Sequence, residues 1–141
     1  MEDLEILFDP LPPDSLREYI MDRLAIFNVA RTGADNWAPV CFFLKSRQGE
    51  WLGGLIGDHW GGWLTVRFLW LAEAARGQRY GTRLMDAAEA YALSRGCFAA
   101  TLDTHSYEAL GFYQKRGYEV FGQLDDCPPG HSKYFLRKRL E

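Results

Sequence analysis

The junction FLWLAEAARGQRYGTRLMDAAEA constrains this chain more than any other stretch of its 141 residues. Short apolar runs broken by turn residues precede it, and an amphipathic helical pattern follows. Trp63 to Leu71 reads as a buried strand. From Gly81 to Arg95 the apolar side chains Leu84, Met85, Ala88, Tyr91 and Ala92 recur at helical spacing, while Arg83, Asp86, Glu89 and Arg95 take the other face. A strand that enters a helix through a glycine-containing loop aims several unpaired N–H groups, and the positive end of the helix dipole, at one spot. Such a spot suits phosphate. The patterns G-x-x-x-x-G-K-[ST] and G-x-G-x-x-G are both absent, which counts against an NTPase or a dinucleotide enzyme. Taken alone, the junction also describes an ordinary connection with a glycine turn.

The rest of the chain supplies a sheet for this unit. Leu4 to Phe8 reads as a first strand, closed by Asp9-Pro10 and Pro12-Pro13. Asp14 or Ser15 is placed to cap a helix whose residues Leu16, Tyr19, Ile20, Leu24 and Phe27 make a stripe expected to be buried, with Gly33 at its end. Ala38 to Lys45 and Trp51 to Ile56 form a hairpin, and a turn over Gly57 to Gly62 leads into the strand Trp63 to Leu71. After the second helix, which Gly96 stops, come a strand over Cys97 to Asp103, a helix over Tyr107 to Arg116 ended by Gly117, and strands over Tyr118 to Leu124 and Lys133 to Arg137. The fold class is mixed α/β, a mostly antiparallel sheet flanked by helices in the order β-α-β-β-β-α-β-α-β-β, in a single domain over residues 1–141. The aromatic run Trp60, Trp63, Phe68 and Trp70 reads mostly as core packing.

Composition narrows the partners. Sixteen basic against 19 acidic residues give a net charge of −3, which offers nucleic acid no electrostatic footprint. Cys41, Cys97 and Cys127 fit neither a disulfide ladder nor a zinc pattern, and no His or Cys pair has ligand spacing, so no metal is implied. A reducing cytoplasm is the natural compartment. The acidic, proline-containing start lacks the features of a signal peptide, and no apolar stretch is long enough to span a membrane. Cys97 has no local His partner and reads as a small buried residue rather than a nucleophile.

Two motifs carry a resemblance. R-G-Q-R-Y-G-T-R-L after a strand ending in L-W-L resembles the [QR]-x-x-G-x-[GA] acetyl-CoA loop of the GNAT superfamily of N-acetyltransferases, with Arg76 first and Gly81 last. About thirty residues on, S-Y-E-A-L-G-F-Y-Q-K-R-G-Y resembles the family's N-x-x-A-x-x-F-Y-x-x-x-G-[FY], matching at Ala109, Phe112, Tyr113, Gly117 and Tyr118, with Ser106 where Asn is common. The ending L-D-D-C-P-P-G-H-S-K-Y-F-L-R-K-R-L is similar to a small bacterial subgroup. Arg79 departs from the pattern, standing where the family usually has its middle glycine. It would either crowd the pyrophosphate or contact it through its guanidinium, and the second is the expectation.

The resemblance implies acetyl-CoA as co-substrate, held by the main chain of Leu69, Trp70 and Leu71, by the loop residues Arg76, Gly77, Gln78, Arg79, Tyr80, Gly81 and Thr82, and by Ser106 and Tyr113. It implies direct acetyl transfer to an amine, with Tyr113 as the acid that protonates the leaving thiolate. Glu73, just past the strand, and Asp103, at the end of the next one, are the candidate bases. Asp58, Asp125, Asp126 and the turn residues His59, Trp60, His105, Tyr107 and His131 suggest an acceptor side suited to a small cationic amine. A protein lysine or N-terminus is the alternative acceptor, and a non-catalytic acyl-CoA binder is the alternative class. The aromatic content also permits an apolar homodimer interface.

Overall fold

The computed structural model describes residues 3–141. It divides into two compact units, one reaching to Asp35 and the other spanning Asn36–Glu141.

The first unit is one helix, α1 (Asp14–Thr32), preceded by irregular chain. Gly33 closes the helix in the left-handed conformation (φ 72°) and donates its N–H to the Val29 carbonyl, as a C-terminal glycine does. At the other end Asp14 lies inside the first turn, and Pro13 holds the cap position with no side-chain bond. The strand expected over Leu4 to Phe8 does not form. A strand exists through its ladder, and this unit offers none to join. The stripe Leu16, Tyr19, Ile20, Leu24 and Phe27 is likewise exposed rather than buried, because the unit has no second element on which to pack it.

The second unit carries a six-stranded sheet in the order β1-β2-β3-β4-β6-β5. Its strands are β1 (Ala38–Lys45), β2 (Trp51–Trp60), β3 (Trp63–Leu71), β4 (Ala99–His105), β5 (Glu119–Asp125) and β6 (Ser132–Arg139). Its helices are α2 (Tyr80–Ser94) and α3 (Leu110–Lys115). Every neighbouring pair is antiparallel except β3 and β4. The crossover through α2 supplies that parallel pair. This is the mixed, mostly antiparallel sheet flanked by helices that the sequence implies.

Leu55, Leu64, Val66, Met85, Ala88, Ala92, Leu102 and Leu136 form the core between sheet and helices, with Tyr113 and Tyr118 at its margin. Burying each large aliphatic side chain contributes roughly 1.5–3 kcal/mol. The turn expected over Gly57 to Gly62 narrows to Gly61 and Gly62 (φ 60° and 86°), and β2 runs on to Trp60. Gly57 serves close approach instead, since a Cβ there would run into the Thr65 carbonyl oxygen.

One irregularity shapes the site. Ile56 pairs with Phe68 and Gly57 with Val66, leaving Arg67 as an extra residue in β3. A bulge of this kind switches which side chains face the core. Leu64 and Val66 are buried before it, while Leu69 and Leu71 pack on the core after it. Phe68 and Trp70, expected in the core, are therefore exposed (68% and 59%).

Candidate functional site

The parallel ladder between β3 and β4 ends at Val66 opposite Leu102. Beyond that point β3 stays paired to β2 as far as Leu71, and β4 stays paired to β6 as far as His105. Two strands held on their outer edges and released from one another leave a gap between them. The Ala72 N–H donates to the Leu52 carbonyl at 2.8 Å, continuing the β2 register. Antiparallel bonding alternates, so Trp70 and Phe68 bond to β2, while Leu69 and Leu71 turn their N–H and C=O groups toward the gap. The Leu71 carbonyl accepts from Arg76 Nε at 3.0 Å. Of the three main-chain groups expected here, Leu69 and Leu71 face the gap and Trp70 does not.

A cavity of about 450 Å³ runs from this gap along the loop, lined by Leu69, Leu71, Arg76, Gly77, Arg79, Tyr80, Gly81, Thr82, Glu108, Ala109 and Phe112. The first bond into α2 comes from the Arg83 N–H to the Arg79 carbonyl, at 3.0 Å. The first-turn amides of Tyr80, Gly81 and Thr82 thus have no carbonyl inside the helix to bond. Gly77 has φ 73° and Arg79, at the helix cap, φ 67° with ψ 15°. The left-handed conformation costs a non-glycine residue roughly 1–2 kcal/mol. Gln78 turns away, donating from Nε2 to the Ala74 carbonyl at 2.9 Å, and lines neither this cavity nor the next.

A second cavity of about 330 Å³ shares Leu69, Glu108 and Ala109 with the first, so the two are contiguous. Val66, Arg67, Phe68, Trp70, Asp103, Thr104, His105 and Tyr113 complete its lining. Phe112 and Tyr118 hold the Tyr113 ring edge-on, with centroids at 5.1 and 5.9 Å. Burial, reinforced by the carboxylates of Glu108 and Asp103, pushes the Tyr113 phenol up to about 12 against the pull of Arg116. Tyr113 therefore stays protonated across the neutral range. Arg67 pairs with Asp58, and that hydrogen bond raises its affinity for the proton despite partial burial.

Of the two carboxylates expected as bases, Asp103 lines this cavity and lies 3.8 Å from Lys133 Nζ. Glu73 is exposed on a single 3-10 turn and lines neither cavity. The carboxylate that sequence reading passed over is Glu108. Its Oε1 accepts from His105 Nδ1 at 2.6 Å and from the His105 backbone N–H at 2.7 Å. Partial burial alone would raise the Glu108 carboxyl, yet these two bonds and the charge of the ring hold it below the usual range. The i, i+3 spacing of His105 and Glu108 across the end of β4 was the available signal.

His105, Tyr107 and His131 come together as expected. Tyr107 stacks on His105 at 5.3 Å and meets His131 edge-on at 5.0 Å. His59 and Trp60 do not join them. They sit at the start of β3, opposite Leu64 and Trp63, on the order of 16 Å along the strand from Leu69 at ~3.3 Å per residue. His59 is buried (2% exposed) against Tyr91 of α2, with no hydrogen-bond partner for either ring nitrogen. Strand β2 continues where a turn was expected, which carries both residues inward. Ser106 lines neither cavity. Its amide donates to the Ser132 carbonyl and its Oγ accepts from the Ser132 N–H, at 2.8 and 3.0 Å. Cys97 is buried, and desolvation pushes its thiol up, as befits a packing residue. Among the described residues no three His, Cys, Asp or Glu side chains group as metal ligands, and no helix is long and apolar enough to cross a membrane.

A family model described as acetyltransferase (GNAT) family matches residues 3–118. An acetyltransferase of Agrobacterium fabrum is 35% identical over 121 residues, covering 86% of this chain and 88% of that protein. A blasticidin-S acetyltransferase of Streptomyces morookaense is 40% identical over 94 residues, covering 66% of this chain and 69% of that protein. A crystal structure from Agrobacterium tumefaciens, described as an acetyltransferase, aligns with a TM-score of 0.88 at 31% identity over 96% of this chain and 99% of that one.

Proposed function

The chain belongs to the GNAT family of acetyltransferases, and from that premise we propose that it moves the acetyl group of acetyl-CoA directly to the primary amine of a small cationic molecule. The family uses acetyl-CoA as its co-substrate, and the residues present fit it. First-turn amides at Tyr80, Gly81 and Thr82, with Arg76 and Arg79 alongside, make an anion cradle. Leu69 turns its main-chain groups into the gap beside it, and Leu71 its N–H, the Leu71 carbonyl being taken by Arg76. These residues would hold the pyrophosphate and the pantetheine arm. Bound there, acetyl-CoA supplies an acetyl thioester whose sulfur departs as a thiolate.

One observation carries the proposal: Tyr113, held protonated by burial, lines the cavity that continues the cradle past Leu69. A phenol near 12 is a weaker acid than an ordinary thiol of about 8.5. The apolar surroundings that raise the phenol also raise a neighbouring thiolate's affinity for a proton, which narrows the uphill gap that the transfer must cross. The acceptor class rests on the carboxylates of Asp103 and Glu108 and the rings of Phe68 and Trp70 in that cavity. These suit a cationic amine through charge and cation–π attraction. The relative named for acetylating blasticidin-S supports a small-molecule acceptor.

The test is thiol release from acetyl-CoA across a panel of polyamines, amino sugars, neutral amines and peptides. Turnover strongest on the cationic small molecules is expected, and preference for neutral amines or peptides would sink the acceptor class. Tyr113→Phe should lower kcat roughly 10–100-fold while leaving acetyl-CoA affinity nearly unchanged. Unchanged turnover would remove the acid role.

A further inference from the structure

Two carboxylates and one imidazole line the cavity beyond Leu69, and their partners differ. Asp103 is half exposed, with Lys133 Nζ 3.8 Å away. Glu108 is committed to His105 by both bonds described above. An ionised carboxylate only accepts hydrogen bonds, so the ring nitrogen facing Glu108 must carry the hydrogen. With Nδ1 so occupied, a neutral imidazole keeps its lone pair on Nε2. The ring cannot easily turn, because Tyr107 stacks on it at 5.3 Å with its plane 19° from parallel. The strand end of β4 and the bond to Glu108 thus fix both the tautomer and the orientation of one imidazole at the wall of the cavity that Tyr113 also lines.

We propose that His105 is the general base of this enzyme, taking the proton of the acceptor ammonium on Nε2, and that Glu108 is its positioning residue. This rests on the amine-transfer reading above. The proton leaves nitrogen for Nε2 of His105, freeing the nitrogen lone pair for bond formation, and passes from His105 to solvent before the next cycle. The environments of the two groups separate their roles. Glu108 stays ionised to orient the imidazole, while Tyr113 in the same cavity keeps its proton. The other charged or titratable groups around His105 are Asp103 on its own strand, Lys133 paired across on β6, Arg67 on β3, and His131 beyond Tyr107.

Three measurements test this. In the protein without acetyl-CoA, nitrogen-detected NMR of the imidazole should show His105 as the Nδ1–H tautomer, and Glu108→Gln should lose that preference while Glu108→Asp retains part of it. An Nε2–H tautomer in the wild type would overturn the inference. In turnover with spermidine, His105→Gln should lower kcat roughly 100-fold or more and abolish the rising limb of the pH profile of kcat/KM. Hydroxylamine is uncharged at neutral pH and needs no base, so with it the same variant should lose far less. An equal loss on both acceptors, or an intact rising limb with spermidine, would overturn it. If the wild-type chain acetylates neither acceptor, the substrate reading fails, and the tautomer measurement still decides whether Nε2 keeps the lone pair that the base role requires.

Discussion

Arg79 shows how one residue can oppose its own backbone. It occupies a left-handed cap (φ 67°) where glycine would sit without strain. Arg79→Gly should relieve roughly 1–2 kcal/mol of strain. Glycine's greater freedom in the unfolded chain takes back about 0.5–1 kcal/mol, so a small net gain in Tm is expected. If the guanidinium contacts the pyrophosphate, the same variant should weaken acetyl-CoA binding about tenfold, the scale of a lost charge-assisted bond. Stability and affinity then move in opposite directions, and tighter binding by calorimetry would refute the contact. Glu108 gives a second prediction at this scale. Its folded pKa is depressed, so its contribution to stability is complete above the unfolded value of about 4.3 and is lost as pH falls through the folded one. In acid titrations followed by circular dichroism, Glu108→Gln should reduce the drop in stability below pH ~4. An unchanged acid limb would mean that the His105 bonds are not retained in solution.

At the scale of elements, Tyr113 depends on how α3 is moored. Glu89 of α2 is nearly buried and accepts from Lys138 Nζ of β6 at 2.7 Å and from the Tyr118 hydroxyl at 2.8 Å, with Arg116 at 3.1 Å. Arg116 follows α3 directly and also reaches Asp86 at 2.9 Å. One carboxylate therefore ties α2, the end of α3 and β6 together beside the ring of Tyr118 that packs on Tyr113. Glu89→Gln leaves two cations without their shared partner, and breaking such a buried cluster costs about 3 kcal/mol. Thermal denaturation should show a Tm lower by several degrees. Tyr113-dependent turnover should fall with it, whereas an unchanged Tm would mean that Asp86 alone suffices. The order of these elements was legible in sequence, because glycines at 33, 96 and 117 close the helices in left-handed conformations that few other residues adopt. The extent of β2 was not. Gly57 signals a turn locally, and only the neighbouring strand shows that the missing side chain makes room for the Thr65 carbonyl.

For the whole molecule, binding and folding are linked. A ligand that binds only the native state at a hundred times its Kd adds about 2.7 kcal/mol. For a chain of this size that is a rise of roughly 5–10 °C in Tm. Acetyl-CoA should produce such a shift in thermal scans, and raising the salt should shrink it if Arg76 and Arg79, which line the cavity, meet its phosphates. No shift at saturating acetyl-CoA would contradict the cradle.

The sequence by itself determined the family, the mixed sheet and the glycine-containing loop that leads into α2, because each is written in contiguous residues whose spacing or backbone demands are local. The tertiary structure decided the rest. It carried His59 and Trp60 to the far end of the sheet, left Glu73 outside both cavities, turned Leu69 and Leu71 rather than Trp70 toward the gap, and joined Glu108 to His105 beside Tyr113. The length of β2 places His59 and Trp60, while the groups at the gap depend on a one-residue bulge at Arg67 and on where the ladder between β3 and β4 stops. Both are properties of paired strands, and no single strand's residues encode its partner's register.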